Sequence, residues 1–315
     1  MAGNGARSEI RSGERFEFGE NWNAFLRVVD ERRIQAAQES LAGMLEVHTL
    51  RGIRFLDAGS GSGLFSLAAR RLGARVHSFD YDPQSVACTT ELKRRYYPDD
   101  TAWVVEEGSV LDAAFLETLG TFDVVYSWGV LHHTGAMWRA MANVIPLVAE
   151  GGKLFISIYN DQGVVSRRWA AIKRFYCRSP RVIQWGVIGG VAAWLGSQAL
   201  ARRLVAPRRA VASALKPRAS RARGMSRYYD LRDWVGGYPF EVAAPEAVFD
   251  FYRLRGFTLL RLMTAGGGYA CNQYVFERLP APAVRLPSGQ GTAVEQRPER
   301  ARIDSLRRAE RGLRH

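Results

Sequence analysis

The chain has 315 residues, of which 47% are hydrophobic, enough for one full-sized core with additional segments. Its formal net charge is +13, and much of that charge is concentrated in one stretch. Fifteen Lys or Arg and no Asp or Glu lie between residues 163 and 227. This distribution argues against a uniformly basic protein that wraps nucleic acid, and it indicates one basic docking surface on an otherwise mildly acidic protein.

The cysteine content and the first residues indicate the cellular compartment in which the protein works. Cys88, Cys177 and Cys271 share no spacing typical of a metal site, and an odd number of thiols cannot all pair. We therefore expect free thiols in a reducing environment and no metal site. The first residues are polar and lack the apolar stretch of a secretory signal peptide. Together these features predict a cytoplasmic protein.

Residues 1–50 precede the first β-rich run and divide into two parts. Residues 1–15 are polar, and we expect a disordered tail there. Residues 16–50 carry apolar side chains at roughly helical spacing, among them Trp22, Leu26 and Leu41. This second part is predicted to form a helical lid that closes over the rest of the protein.

Between residues 51 and 160, short β-rich runs alternate with helical stretches. This alternation is typical of an α/β fold with a parallel sheet and right-handed crossovers. Near the C-terminal end, a helix is expected to begin at Pro245, and two further β-rich runs follow it. The predicted strands are residues 53–56, 75–80, 103–107, 122–127, 153–158, 257–263 and 272–277.

The turn after the first predicted strand is the most informative stretch of the chain. Residues 56–63 read Leu-Asp-Ala-Gly-Ser-Gly-Ser-Gly and lead directly into a helical stretch. A dinucleotide-binding turn has the spacing G-x-G-x-x-G, whereas here Gly63 comes one position early and Leu64 stands where that pattern has a small residue. Asp57 stands two positions before the first glycine. A carboxylate there would repel a pyrophosphate but suits a ligand with an ammonium group.

With this acid-x-G-x-G-x-G pattern, the chain resembles the class I S-adenosylmethionine (SAM) methyltransferases. The resemblance implies a Rossmann-like, mostly parallel sheet of seven strands that ends in an antiparallel C-terminal hairpin, and it implies SAM as the cofactor. The stretch from Ser127 to His133 is similar to the fourth motif, after the fourth strand, of small-molecule O-methyltransferases in ubiquinone and menaquinone biosynthesis. It lacks the Asn/Asp-Pro-Pro-Tyr pattern of enzymes that methylate amines on nucleic acid bases and glutamine.

The resemblance also implies a set of cofactor residues, because ligands of such sheets bind beyond the carboxyl ends of the strands. A helix cap is the alternative role for Asp80, but Asp82 suits that role better because Pro83 follows it. The predicted cofactor residues are Asp57, Gly59, Ser60, Gly61 and Gly63 for the methionine part, Asp80 for the ribose hydroxyls, Tyr81, Ser109 and Val110 for the adenine, and Ser127 and Trp128 after the fourth strand.

His132 and His133 follow the fourth predicted strand, where an acceptor would meet the methyl group. A hydroxyl acceptor must lose its proton, and histidine titrates near neutrality, so both are candidate catalytic bases. His133 is the favoured one of the two. The alternative is that one ring packs under the next helix and only the other reaches the site.

The stretch 161–227 interrupts the α/β alternation. Residues 182–201 carry no charge and are long enough to cross a bilayer, but the strands on both sides must join one sheet. We therefore favour an in-plane helix or helical hairpin that docks on anionic membrane, with a cap over the site or a dimer surface as the alternatives. The cations expected at the headgroups are Arg202, Arg203, Arg208, Arg209 and Lys216.

The sequence thus predicts five regions: 1–50, a tail and lid; 51–160, the SAM-binding core; 161–227, the basic insert; 228–279, the rest of the sheet; and 280–315, a disordered basic tail. The loop 228–241 would form one wall of a site for an aromatic or sugar-like acceptor, or would simply fill a hydrophobic gap.

The predicted function is methylation of a small molecule, most simply at a hydroxyl of a quinone precursor, phenol or sugar. The alternatives are an RNA methyltransferase that uses the basic insert and a SAM-binding module without catalysis.

Overall fold

The computed structural model describes residues 2–205, 227–266 and 270–280. Of residues 2–4, 23–24, 199–200, 202–205 and 227–230 it describes the backbone alone. The predicted disordered tail from residue 281 onward lies outside the described residues. So do residues 206–226 of the insert, which include the predicted membrane-facing Arg208, Arg209 and Lys216.

Seven strands form one sheet in the order β3-β2-β1-β4-β5-β7-β6. β1 to β5 run parallel, and β7 pairs antiparallel with both β5 and β6. This arrangement confirms the predicted fold, including the antiparallel C-terminal hairpin. The strands are β1 (Arg54–Ala58), β2 (Arg75–Asp80), β3 (Trp103–Glu107), β4 (Phe122–Trp128), β5 (Val148–Tyr159), β6 (Phe257–Met263) and β7 (Cys271–Arg278).

Helices connect the strands and cover the sheet. Asp82 caps α5, because its carboxylate accepts the Gln84 amide at 2.9 Å and Pro83 is the first helical residue. The described helices are α1 (Ala2–Arg11), α2 (Phe18–Phe25), α3 (Glu31–Leu45), α4 (Leu64–Arg71), α5 (Pro83–Tyr96), α6 (Ala113–Leu119), α7 (Met137–Asn143), α8 (Val164–Arg178), α9 (Arg181–Val205), α10 (Arg227–Gly236) and α11 (Pro245–Arg253). A 3-10 turn spans Leu131–His133.

The sheet has a hydrophobic layer on each face. Neighbouring residues of β1 serve opposite layers: Phe55 packs with α3, α4 and α5, whereas Leu56 packs with α6, α7 and α11. Successive side chains of a strand point to opposite faces, so a strand buried on both faces must be apolar at consecutive positions. With both faces covered, the carboxyl ends of the strands remain as the edge at which a ligand can approach.

The prediction of a disordered tail over residues 1–15 is wrong for most of that stretch. Residues 2–11 form the helix α1. Ala6 is fully buried, and Glu9 pairs with Arg15 at 2.6 Å. Glu9 also accepts a hydrogen bond from Tyr81, which is distant in the chain, and a polar composition does not reveal such a contact.

In the part of the insert that the structure describes, residues 161–205, the chain forms the helices α8 and α9. α8 packs on α10, and α9 packs on both through a small cluster with Tyr176, Ile188 and Val235 at its centre. The uncharged stretch 182–201 lies in the single continuous helix α9 rather than in a hairpin. Among the helices that the structure describes, none combines the length and apolarity needed to cross a membrane.

Candidate active site

The turn between β1 and α4 contains three glycines with left-handed backbone conformation. Gly59, Gly61 and Gly63 have φ of +89°, +54° and +77°, which other residues adopt only with strain. The amides of Gly59 and Ser60 both donate to the carbonyl of Phe79 at 2.9 and 3.0 Å. The loop is thereby tied to the end of β2. It follows β1, and the strand order reverses between β1 and β4, which is where ligands of such sheets bind.

Asp80, the last residue of β2, points back to this loop. One carboxylate oxygen accepts the Gly61 amide and the other accepts the Asp82 amide, both at 2.9 Å. Burial raises the pKa of Asp80 to about 6, and the two amides act in the opposite direction. Because each carboxylate oxygen has a further lone pair, the group can accept two more donors, as a ribose diol would require.

Asp57 is buried in a hydrogen-bond chain that runs into the core. Its carboxylate accepts Ser66 Oγ at 2.5 Å, Ser66 accepts Ser78 Oγ at 2.8 Å, and Ser78 accepts Trp103 Nε1 at 2.9 Å. Burial raises the pKa of Asp57 to about 7, which Ser66 opposes and the charge of Asp80 reinforces. The structure therefore ties this side chain to α4 while its backbone stays at the start of the glycine loop.

The N-terminal segment (residues 5–22) lies across the residues predicted for the cofactor. The Trp22 ring comes within 3.1 Å of where a Cβ on Gly61 would sit. The hydroxyl of Tyr81 donates to Glu9 at 3.1 Å, and the Arg15 guanidinium lies 4.8 Å from the centre of the Tyr81 ring. Helices α1 and α2 thus cover the loop and the predicted adenine face together.

The turn after β3 holds the two residues predicted for the adenine edge. Ser109 Oγ accepts the Leu111 amide at 3.1 Å, which closes a local turn. Val110 is buried in the core, and its carbonyl accepts Asn143 Nδ2 at 2.9 Å. Backbone groups and the Ser109 hydroxyl are the polar features that this turn offers beside Asp80.

The two residues predicted after β4 are held by neighbouring strands. Ser127 is fully buried, and its hydroxyl donates to the carbonyl of Ala58 at 2.8 Å. Trp128 Nε1 donates to Gln273 Oε1 on β7 at 3.1 Å. Both contacts join β4 to its surroundings at the same carboxyl edge where the glycine loop lies.

The two histidines lie together with their rings 4.5 Å apart, but their surroundings differ. His133 Nδ1 lies 2.6 Å from the carbonyl of Pro239, so Nδ1 carries the proton and Nε2 carries the lone pair. Burial lowers the pKa of His133 to about 3, and the charges of Lys173 and Arg15 reinforce this while the Pro239 carbonyl opposes it. Arg15 also donates to the backbone carbonyl of His133 at 3.1 Å.

His132 is sealed from solvent. Its ring is 0% exposed and packs 4.2 Å from the ring of Tyr159, the last residue of β5. Neither ring nitrogen makes a hydrogen bond of ordinary geometry with any residue that the structure describes. Burial holds the pKa of His132 well below its usual range, His133 adds to this effect, and the Ser157 backbone opposes it.

Lys173 is a site residue that the sequence patterns did not single out. It lies on α8, is 1% exposed, and lines a cleft with Tyr159, Trp234 and Phe240. The signal that would have found it is the buried stripe of α8, where a lysine shares helical spacing with Ser166, Trp169 and Tyr176. No cluster of His, Cys, Asp or Glu suited to a metal ion occurs among the described residues.

Comparison with known proteins identifies the family of the chain. Residues 29–202, more than half of the chain, match the family model described as a methyltransferase domain. Over 114 residues the chain is 34% identical to the ubiquinone biosynthesis O-methyltransferase of Xanthomonas oryzae pv. oryzae, which covers 35% of this chain and 45% of that relative. Over 69 residues it is 41% identical to the ribosomal protein L11 methyltransferase of Methylococcus capsulatus, covering 22% and 24%.

The chain therefore matches less than half the length of these curated relatives. An O-methyltransferase family protein of Burkholderia thailandensis shares the fold, with a TM-score of 0.50 at 13% identity over 83% of this chain and 60% of that one. The glycine loop and Asp80 fit the methionine and ribose parts of SAM, which is the cofactor of this family. The chain belongs to the methyltransferase-domain family of SAM-dependent methyltransferases.

Proposed function

We propose that this protein transfers the methyl group of SAM to a hydroxyl oxygen of a small-molecule acceptor. The observation that carries the proposal is the pairing of Asp80 with the Gly61 amide at the carboxyl edge of β1 and β2. Asp80 would hold the ribose hydroxyls, the glycine loop would hold the methionine part, and Tyr81 would lie on the adenine. SAM supplies an activated methyl group whose sulfonium leaves as a neutral thioether.

With such a donor, the protein has to align the acceptor oxygen and exclude water. The N-terminal segment contributes to exclusion, since Trp22 lies on Gly61 and Arg15 bridges Tyr81 and His133. We propose that this segment opens to admit the two ligands and closes over them. The predicted lid would then act as the gate of the site.

His133 is the proposed proton acceptor. The hydrogen bond from Nδ1 to Pro239 leaves Nε2 to take the proton that the acceptor hydroxyl loses as its oxygen forms the new bond to carbon. The low pKa keeps the ring neutral, which is the form that can accept a proton. Displacement of Arg15 by an entering acceptor would remove one cation near the ring and strengthen it as a base.

His132 has a different proposed role. Because its ring is sealed against Tyr159, it would position that side chain rather than meet the acceptor. A buried imidazole that packs at a tilt of 52° against an aromatic ring restricts the orientation of that ring. We therefore propose His133, and not His132, as the catalytic residue.

The proposed acceptor class is a phenol or quinone precursor, with a sugar-like molecule as the weaker alternative. Two observations support an aromatic acceptor: relatives of this chain are named as ubiquinone biosynthesis O-methyltransferases, and the cleft beside the histidines has aromatic walls. RNA is the second candidate acceptor, supported by the run of fifteen cations without an acid between residues 163 and 227.

We further propose that the insert docks the protein on the inner face of an anionic membrane. α9 exposes apolar side chains to solvent, with Val182 79% and Trp185 69% exposed, and cations flank them without a compensating acid. In a flotation assay with phosphatidylglycerol vesicles, the parent protein should float with the vesicles. The double variant V182S/W185S should stay in the dense fraction. Leu260→Ser, at an exposed position on β6, is the matched control. Equal flotation of all three proteins, or of none, would overturn the docking proposal.

The test of the proposed function is incubation of the protein with methyl-labelled SAM and fractionated cell extract, followed by mass identification of the labelled product. We expect label in a small molecule as an O-methyl group, and none when Asp80 is replaced by Ala. Label in the RNA fraction, lost at high salt, would favour the RNA enzyme instead. SAM binding without any labelled product would favour a binding module.

A further inference from the structure

A buried lysine lies in an aromatic cage on the acceptor side of the protein. Lys173 Nζ is 4.8 Å from the ring centre of Phe240, 5.5 Å from that of Trp234 and 6.0 Å from that of Tyr159. The side chain is 1% exposed, although lysine is among the residues that proteins bury least often. A lysine held here needs a reason beyond the packing of its stem.

The charge of Lys173 has no ionic partner in the described part of the chain. Its Nζ donates to the backbone carbonyl of Trp234, and no carboxylate among the described residues forms an ion pair with it. The groups that face it are the thiols Cys177 and Cys271, the carboxylate of Asp233 at longer range, and the two histidines. A buried cation without a counter-anion is unfavourable unless a ligand supplies the anion.

The cage opens onto a cleft with a polar edge. Asn160 and Gln162, just after β5, and Ser166 on α8 line the cleft together with the aromatic rings. The ring of Tyr159 lines the cleft and also contacts the two histidines. It lies 4.2 Å from the ring of His132 and 5.5 Å from the ring of His133. The cleft and the proposed proton acceptor are therefore neighbours across one ring.

We propose that this cleft is the acceptor subsite, and that Lys173 binds an anionic oxygen of a planar aromatic acceptor while Tyr159, Trp234 and Phe240 contact its ring. The inference rests on the proposed methyl transfer and names the acceptor class for that same site: an aromatic acid or an acidic phenol. The polar edge would take a second substituent of the ring.

Such a site predicts proton uptake on binding. Burial lowers the pKa of Lys173 to about 7, while Cys177, Asp233 and Cys271 oppose the shift. An anion bound at Nζ favours the ammonium form, so at a pH slightly above this value the complex gains a proton from the buffer. A lysine that merely packs would show no such uptake.

The experiment titrates the full chain with benzoate, benzamide and 4-nitrophenolate at millimolar concentrations, by calorimetry in two buffers of different ionisation enthalpy. We expect benzoate or 4-nitrophenolate to bind with proton uptake and the neutral isostere benzamide to bind at least about tenfold more weakly. The stronger of the two anions assigns the group as a carboxylate or a phenolate. Equal affinity for benzoate and benzamide, no proton uptake, or no binding of either anion would overturn the proposal.

Variants of Lys173, measured in the same titration, test whether this side chain binds the anion. Lys173→Met keeps the length and apolar stem and should lose the anion, whereas Lys173→Arg should keep it. Lys153→Met is the matched control, because Lys153 also donates to a backbone carbonyl, that of Leu45 at 2.8 Å, but lies in the middle of β5 and does not line the cleft. Unchanged benzoate affinity in a folded Lys173→Met protein would refute the assignment. If the anion binds as expected while labelled SAM gives no product, the proposed function fails instead.

Discussion

The donor side and the acceptor side of this site are built in different ways. The donor side is local: the glycine loop and Asp80 lie within one β-α-β unit and are joined by backbone amides. The acceptor side is assembled from distant parts of the chain, with His133, Tyr159, Lys173 and Phe240 brought together by side-chain packing. Backbone-built sites need particular residues at particular spacings, whereas sites built by packing need only side chains that meet in space.

The largest expected effect is on the donor side. Asp80→Ala should weaken binding of S-adenosylhomocysteine by about a hundredfold or more, because two hydrogen bonds to a carboxylate contribute about 1.5–3 kcal/mol each. Asp112→Ala is the matched control, since Asp112 caps α6 through the Phe115 amide and lies outside the proposed cofactor contacts. Calorimetric titration measures both, and an Asp80→Ala protein that binds like the control would remove Asp80 from the site.

The next largest effect is expected on the rate of methyl transfer, with cofactor binding unchanged. His133→Gln can still donate to the Pro239 carbonyl but cannot take a proton, so kcat should fall about 10²- to 10⁴-fold. S-adenosylhomocysteine affinity should not change. His48→Gln, at an exposed position after α3, should leave kcat as it is. The rate of label transfer from SAM measures both variants, and a His133→Gln protein with parental kcat would exclude this base.

The glycine loop gives a smaller effect that appears in stability. Gly63→Ala places a Cβ 2.9 Å from the Cα of Thr89 at a φ of +77°, so the free energy of unfolding should fall by about 2–4 kcal/mol. Gly52→Ala has a similar φ of +82° but nothing within 4 Å, and should lose about 1–2 kcal/mol. Urea unfolding compares the two. Equal losses would show that backbone conformation alone, and not close approach to α5, requires the glycine.

Measured per pH unit, the smallest effect is the pH dependence of stability that arises on the acceptor side. Since the pKa of Lys173 falls from 10.5 to about 7 on folding, the unfolded chain binds the extra proton between these values, and stability rises with pH across this window. The slope due to Lys173 is at most about 1.4 kcal/mol per pH unit. Lys173→Met should remove it, which urea midpoints at both ends of the window measure. An unchanged slope would mean that the lysine keeps its ordinary proton affinity when folded.

The same contrast explains what could be predicted. The strand positions and the loop from Asp57 to Gly63 follow from apolar runs and glycine spacing, because chain-local physics determines them. The seven-stranded sheet with its antiparallel hairpin was expected from the family resemblance instead. The helix at residues 2–11 was missed because Glu9 and Ala6 are held by contacts with residues that a local pattern does not include. Lys173 was missed because it stands in a run of cations, although its helical spacing with Trp169 and Tyr176 is a local signal of burial. Its ring contacts Trp234 and Phe240 are distant in the chain and cannot be read from a local pattern.

One crossed titration tests the division between the two sides most directly. S-adenosylhomocysteine and benzoate are each titrated into the parent, Asp80→Ala and Lys173→Met proteins. The account predicts that Asp80→Ala weakens S-adenosylhomocysteine alone and that Lys173→Met weakens benzoate alone. If either variant weakened both ligands equally, or if neither changed its own ligand, the assignment of donor and acceptor to these two residues would be contradicted.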